Sequence, residues 1–312
     1  KSKSKSKSKS KMWVNLSPWG GLGWGLKRSI KEITMKLGVN LWTVYGWRLP
    51  EPVSEEVLRA VAALGSAAVE LVLDEEHNSE EILLQRQPAL AAFLAEIGMV
   101  TPSVASALFW RYNLASQDSD LRNRGIELIR QGCRVAHAFG AGVLLIVAGQ
   151  QEPRTEYARS YETAVAAVRD AADYAADLGV VIGVENVGTN FICSPKEYAQ
   201  FITDVDHPAV QAYLDFGNGM AVGPGYAENW VTALRGHIAM VHAKDYDKAA
   251  KNHVCCGQGH VAWEETFAAF REVGYDSYMH VETPPRGGAG QTNIASGLAA
   301  AETSLRWLAR FV

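Results

Sequence analysis

From Met35 to the C-terminus, short apolar runs alternate with longer stretches in which apolar residues recur at helical spacing. The short runs are Gly38–Val44, Ala68–Leu73, Val100–Ala105, Gly142–Ala148, Val180–Glu185, Val210–Asp215, His237–His242 and Tyr278–Glu282. Each is rich in β-branched residues, as expected of parallel strands buried on both faces. The clearest amphipathic stretches are SEEVLRAVAALG, SEEILLQRQPALAAFLAEIG, DSDLRNRGIELIRQGCRVAHAFG, YETAVAAVRDAADYAADLG and AWEETFAAFREVG. Several open on Ser or Asp with a Glu shortly after, and close on Gly, the chemistry of helix starts and stops. Eight strand–helix units without a linker predict one α/β domain folded as a (β/α)8 TIM barrel. An open doubly wound sheet is disfavoured, because GVNLWTVYGW lacks the G-x-G-x-x-G spacing expected after its first strand.

Residues 1–34 break the pattern. KSKSKSKSKS is a low-complexity basic tract, and the Gly- and Trp-rich segment after it has no usable period. It lacks the apolar core and cleavage site of a secretory signal, and it is too aromatic and Arg-poor for a transit peptide. The expectation is a non-native extension over 1–34, either a tag or a mis-started leader, and a catalytic barrel over 35–312. A genuine arm packing on the barrel or on a neighbouring subunit is the alternative.

This division changes the electrostatics. The first 34 residues hold nine Lys and Arg against one acid, Glu32, leaving 21 basic and 33 acidic residues, a formal −12, in the remainder. So acidic a domain is a poor ligand for phosphate backbones, which excludes nucleic acid as an expected partner. No run after residue 34 is long enough to span a bilayer, so no membrane partner is expected either. Cys133, Cys193, Cys255 and Cys256 show no C-x-x-C or metal-finger spacing, and a reducing, cytoplasmic location is the default.

Four of the runs end on groups with chemistry: VVIGVE on Glu185, VQAYLD on Asp215, HIAMVH on His242 and YMHVE on Glu282. In a parallel barrel the strand C-termini converge on one face, where catalytic groups sit. Three carboxylates and an imidazole gathered there are good ligands for one divalent cation. Singly, each has a plainer explanation, as a solvated loop carboxylate, a turn cap or a core histidine. Jointly, three carboxylates crowding one mouth call for a cation to offset their repulsion.

Further residues fall near the same face. Lys244, two past His242, could meet a substrate oxygen or pair with Asp245. Asn218 could bind substrate or serve the turn after Asp215. Trp110 and Arg111, after the third strand, offer an aromatic wall and a guanidinium, against helix packing and a surface ion pair. His260 lies in the Gly-rich loop CCGQGHVAW, which could close over the site. Glu70 lies within a strand and must be paired if buried. His280 alternates with Glu282 but reads more naturally as a packed strand residue.

At SALFWRYNLAS, VENV, LDFGN, VHAKD and VET the chain resembles the sugar isomerase/epimerase family of xylose-isomerase-like barrels. That family includes ketose 3-epimerases, hydroxypyruvate isomerases and inosose dehydratases, and the resemblance spans residues 35–312. It implies that Glu185, Asp215, His242 and Glu282 bind one cation per chain, usually Mn²⁺, with Mg²⁺ or Co²⁺ as substitutes. It also implies that Glu185 and Glu282 double as acid/base groups, on a small sugar or polyol-type carbonyl substrate. A homo-oligomer, dimer or tetramer, is expected. The chain departs from ketose 3-epimerases of free sugars in having Asn218 where they have a His, Lys248 near where they have an Arg, and Phe191 where they have a second Glu six residues past the first ligand.

The chemistry implied is abstraction of a proton beside a carbonyl whose oxygen a cation polarises. Return of the proton to the opposite face gives epimerisation, and return to the neighbouring carbon gives isomerisation. Loss of a β-hydroxyl gives dehydration. The first two are the favoured expectation. The alternatives are a metal-dependent lyase, such as a dehydratase or a carbon-glycoside-cleaving subunit, and a barrel that only binds sugar. A multi-zinc endonuclease-like barrel conflicts with the acidic charge.

Overall fold

The computed structural model describes residues 34–223, 225–283 and 293–312. The expected 1–34 extension, apart from Thr34, lies outside them. In chain order the elements begin with β1 (Lys36–Asn40), α1 (Leu41–Tyr45), α2 (Glu55–Ala63), β2 (Ala68–Val72), α3 (Glu80–Glu96) and β3 (Ser103–Ala105). They continue with α4 (Ser119–Ala138), β4 (Val143–Val147), α5 (Tyr157–Asp177), β5 (Val181–Glu185), α6 (Pro195–Val205) and β6 (Val210–Asp215). The last are α7 (Phe216–Val222), α8 (Ala227–Ala233), β7 (Ile238–Ala243), β8 (Asp245–Asp247), β9 (Asn252–Val254), α9 (Trp263–Val273), β10 (Tyr278–Val281) and α10 (Ile294–Leu308).

Eight strands close into a barrel in the order β1-β10-β7-β6-β5-β4-β3-β2, every neighbouring pair parallel. Strands β8 and β9 stand outside it as an antiparallel hairpin. The (β/α)8 expectation therefore holds. Strand β4, VLLIV, is buried at every position, as a strand between a filled barrel and a helical ring must be. Among the described residues, no helix is long and apolar enough to cross a membrane.

The helix signals work as capping chemistry. Side chains of Ser54, Ser79 and Asp118 accept from the backbone N–H groups that open α2, α3 and α4. Gly65, Gly98, Gly140, Gly179 and Gly274 follow helix ends with positive φ, where a Cβ would be strained.

Two strand boundaries differ from the pattern-based reading. The first run was expected to be strand to Val44, but it turns helical after Asn40, whose side chain accepts from Trp42 N at 2.7 Å. An Asx cap outweighs the β propensity of the residues that follow. In Val100–Ala105 only the last three residues are strand, with Val100 in an isolated bridge to Ala68. Pro102 has no N–H to give to the ladder.

Candidate metal centre and active site

Glu185 and Asp215 are the last residues of β5 and β6. His242 is the penultimate residue of β7, and Glu282 follows β10 directly. Register places Asp215 opposite His242 and Glu185 opposite Tyr213. One ligand atom from each of Glu185, Asp215, His242 and Glu282 lies within 4.8 Å of all the others, and all four residues are buried.

The imidazole of His242 organises the group. Its Nδ1 faces Glu185 Oε1 at 3.1 Å and Glu282 Oε2 at 3.5 Å, while Nε2 meets Glu70 Oε2 at 2.6 Å. Glu70, inside β2, also accepts from Ser103 Oγ and Tyr213 OH, each at 2.6 Å, and from Asn40 Nδ2. Burial alone would raise the Glu70 pKa, but the charge and hydrogen bond of His242 hold it down to about 2. Burial likewise opposes a proton on His242, yet the Glu70 and Glu282 carboxylates raise its pKa well above the ordinary value. A carboxylate behind a ligating histidine fixes which nitrogen is presented to a cation.

Lys244 lies among the acids. Its Nζ is 2.5 Å from Asp215 Oδ2 and donates to Glu282 Oε2. Burial opposes its charge, but Asp215, Glu282 and Glu185 together raise its pKa. The alternative pairing with Asp245 does not form. That carboxylate instead accepts from Gly257 N, Val261 N and Trp263 Nε1 at 2.9–3.1 Å and ties down the loop after β9.

Burial raises the Glu185 pKa and pushes Glu282 up to about 7, with the neighbouring carboxylates adding to both shifts. Three crowded, buried carboxylates and an imidazole nitrogen aimed among them fit a divalent cation.

The cluster opens into a cavity of about 250 Å³ whose polar lining is Ser106, Glu185, Asn218, Lys244, His253 and Glu282. Trp42, Trp47, Trp110, Leu145, Val147 and Val187 supply apolar walls. Pockets for drug-sized ligands run from about 300 Å³ upward, so this one suits a small molecule. Beyond the tryptophans lies an outer cleft of about 360 Å³ bordered by Arg48, Asp74, Glu75 and Arg111.

Of the residues expected near substrate, Trp110, Asn218 and Lys244 line the cavity, and two do not. Arg111 borders the outer cleft, mostly exposed and 2.9 Å from Glu75. His260 is half exposed and away from the cavity lining, with Nδ1 accepting from Lys248 N at 3.3 Å. Asn218 also serves the turn, its N–H donating to Asp215 Oδ1 at 2.7 Å. Phe191 packs among Tyr157, Tyr161 and Phe201. Lys248 lies over the Tyr226 ring, 4.5 Å from its centroid. His280 is fully buried against Tyr213 OH at 3.2 Å, and burial lowers its pKa to about 4, a packed strand histidine.

Sequence reasoning missed Trp42, Trp47 and His253. The two tryptophans follow β1 on the catalytic face, a signal obscured when Trp42 is read as strand. His253 belongs to a hairpin that no apolar period announces.

The model of the xylose isomerase-like TIM barrel family matches residues 58–311. The chain belongs to that family. It is 26% identical over 229 residues to an L-ribulose-5-phosphate 3-epimerase of Shigella flexneri, spanning 70% of this chain and 78% of the relative. The corresponding enzyme of Salmonella paratyphi C is 28% identical over the same shares. Among solved structures, D-psicose 3-epimerase from Clostridium cellulolyticum H10 superposes with TM-score 0.73 at 18% identity, over 89% of this chain and 99% of that one. An IolI protein with a bound zinc atom superposes with TM-score 0.72 at 17% identity, over 89% and 99%. Relatives of the family named as epimerases support an isomerase/epimerase enzyme.

Proposed function

We propose that this protein is a divalent-metal-dependent sugar epimerase or isomerase that moves a proton at the carbon beside a carbonyl. One observation carries the reading: Glu185 and Glu282, from strands separated by β6 and β7, both line the cavity, with His242 Nδ1 3.1 and 3.5 Å from them. Two carboxylates that reach a bound molecule from different strands are positioned to act on different faces of one carbon.

A cation held by Glu185, Asp215, His242 and Glu282, Mn²⁺ by preference, would polarise the substrate carbonyl and acidify the neighbouring C–H. One glutamate takes that proton, and the other delivers a proton to the opposite face, inverting the centre. Delivery to the adjacent carbon gives the isomer. Lys244 offers its ammonium to a substrate oxygen, and the tryptophans pack on the carbon face of the sugar. The same reading assigns the activity to residues 35–312.

The test is solvent deuterium incorporation. Protein loaded with Mn²⁺ is incubated in D₂O with D-psicose, D-tagatose, D-fructose, L-ribulose and L-ribulose 5-phosphate. We expect deuterium beside the carbonyl of at least one, abolished by chelator. No incorporation into any of them would sink the proposal.

A further inference from the structure

His253, on β9, lines the cavity. Its backbone pairs with Tyr246 on β8, and its ring meets the Tyr246 ring edge-on, centroids 5.3 Å apart. The ring also faces the Gly217 backbone, whose influence favours a ring proton, as that of a carbonyl does. Its Nε2 is shielded from solvent and has no hydrogen-bond partner, although the residue lines the cavity beside Lys244, Asn218 and Glu282. Burial, with help from the Lys244 ammonium, lowers the imidazole to about 4, so the ring is neutral near pH 7. A neutral imidazole carries one N–H donor and one lone-pair acceptor. With the ring proton on the side that faces Gly217, the acceptor is left at Nε2.

A buried acceptor without a donor costs free energy, and native structures seldom carry one without reason. Among the described residues no side chain donates to it, and Ser106 Oγ, which also lines the cavity, donates to Leu73 O instead. The Lys244 ammonium is committed to Asp215 and Glu282, and both glutamates only accept when ionised. A bound molecule with a hydroxyl group would satisfy Nε2 with its proton. Its oxygen would remain free to accept from a neighbouring donor.

We infer that His253 is a specificity-determining residue whose Nε2 accepts a hydrogen bond from one non-reacting hydroxyl of a polyol-type substrate. Only the word substrate rests on the epimerase/isomerase reading. The hydroxyl contact itself applies to any polyol that enters the cavity.

Two measurements test it. The first uses whichever ketose shows deuterium exchange, together with its mono-deoxy analogues at each non-reacting carbon. The variants are His253→Phe, which removes the acceptor, and His253→Gln, whose amide oxygen can replace it. For the parent ketose, His253→Phe should lower kcat/KM about tenfold, and His253→Gln should recover part of that loss. For one particular deoxy analogue the wild type and His253→Phe should be nearly equal. A variant that slows the parent and every analogue by the same factor would reveal a merely structural histidine and overturn the inference.

The second measurement needs no turnover. Imidazole ¹⁵N resonances of the Mn²⁺-free wild type are recorded while ribitol, D-mannitol and galactitol are added to saturation. Accepting a hydrogen bond should shift the His253 Nε2 resonance without protonating the ring. An unmoved Nε2 with all three polyols overturns the inference. A shifted Nε2 in a protein that exchanges no ketose proton would leave the contact standing and remove the epimerase reading.

Discussion

His242 Nε2 lies 2.6 Å from Glu70 Oε2, so the ring's opposite nitrogen, Nδ1, points at Glu185 and Glu282. Glu70 is itself held by Ser103, Tyr213 and Asn40, so the orientation of one ligand depends on residues of β1, β2, β3 and β6. Outer partners of this kind are typically worth about 10- to 100-fold in metal affinity. Glu70→Gln keeps the shape but loses the charge, and it should weaken Mn²⁺ binding by that order. Competition against a metal-sensitive dye measures it; unchanged affinity would show that His242 needs no carboxylate behind it.

The strand-end chemistry was legible because an apolar run announces its own end. Run Val210–Asp215 matches β6 at both bounds, and the remaining three ligands fall within one residue of a strand terminus. Glu70 was visible only as a strand carboxylate in need of a partner; that the partner would be His242, 172 positions away, required the barrel to close. His253 left no trace, since the fold of a short hairpin back across Gly217 depends on Asp245 collecting donors from residues up to 18 positions further on. Arg111 was misleading in the opposite way: it follows a barrel strand, yet Glu75 holds it in the outer cleft.

Gly217 is where α7 touches the segment after β7. A Cβ there would come within 2.6 Å of Lys244 Cγ and 2.7 Å of Lys244 O. Because a backbone oxygen is one of the atoms met, the strain is not relieved by a side-chain rotation. Gly217→Ala should cost about 1–3 kcal/mol of stability and displace Lys244, lowering turnover more than metal content. Thermal unfolding and elemental analysis of the same preparation check both halves, and an unaltered Tm would show that the segment yields freely.

Phosphorylated sugars should be poor substrates compared with free ones, although curated relatives are named for a sugar phosphate. Among the described residues lining the cavity, Lys244 is the only Lys or Arg, and two carboxylates already engage it. A phosphate group entering there would meet Glu185 and Glu282, with no second Lys or Arg among the described lining residues to offset its charge. The measured quantity is the ratio of kcat/KM for L-ribulose to that for L-ribulose 5-phosphate, expected to exceed one. A strong preference for the phosphate would place its binding site elsewhere, with the outer cleft beside Arg48 and Arg111 the first place to look.

The two glutamates should separate from the other two ligands. If Glu185 and Glu282 transfer protons, Glu185→Gln and Glu282→Gln should retain measurable metal yet lose most turnover, because an amide cannot accept the proton. Asp215→Asn and His242→Asn should behave as metal-affinity variants whose activity partly returns with excess Mn²⁺. Should the enzyme invert a centre, each Gln variant should suppress solvent exchange from one epimer more than from the other, since each carboxylate serves one face. Metal content, turnover at saturating Mn²⁺ and exchange from both epimers distinguish these roles. Equal losses for all four variants, each restored by metal, would reduce Glu185 and Glu282 to ligands and leave the proton transfer to another group.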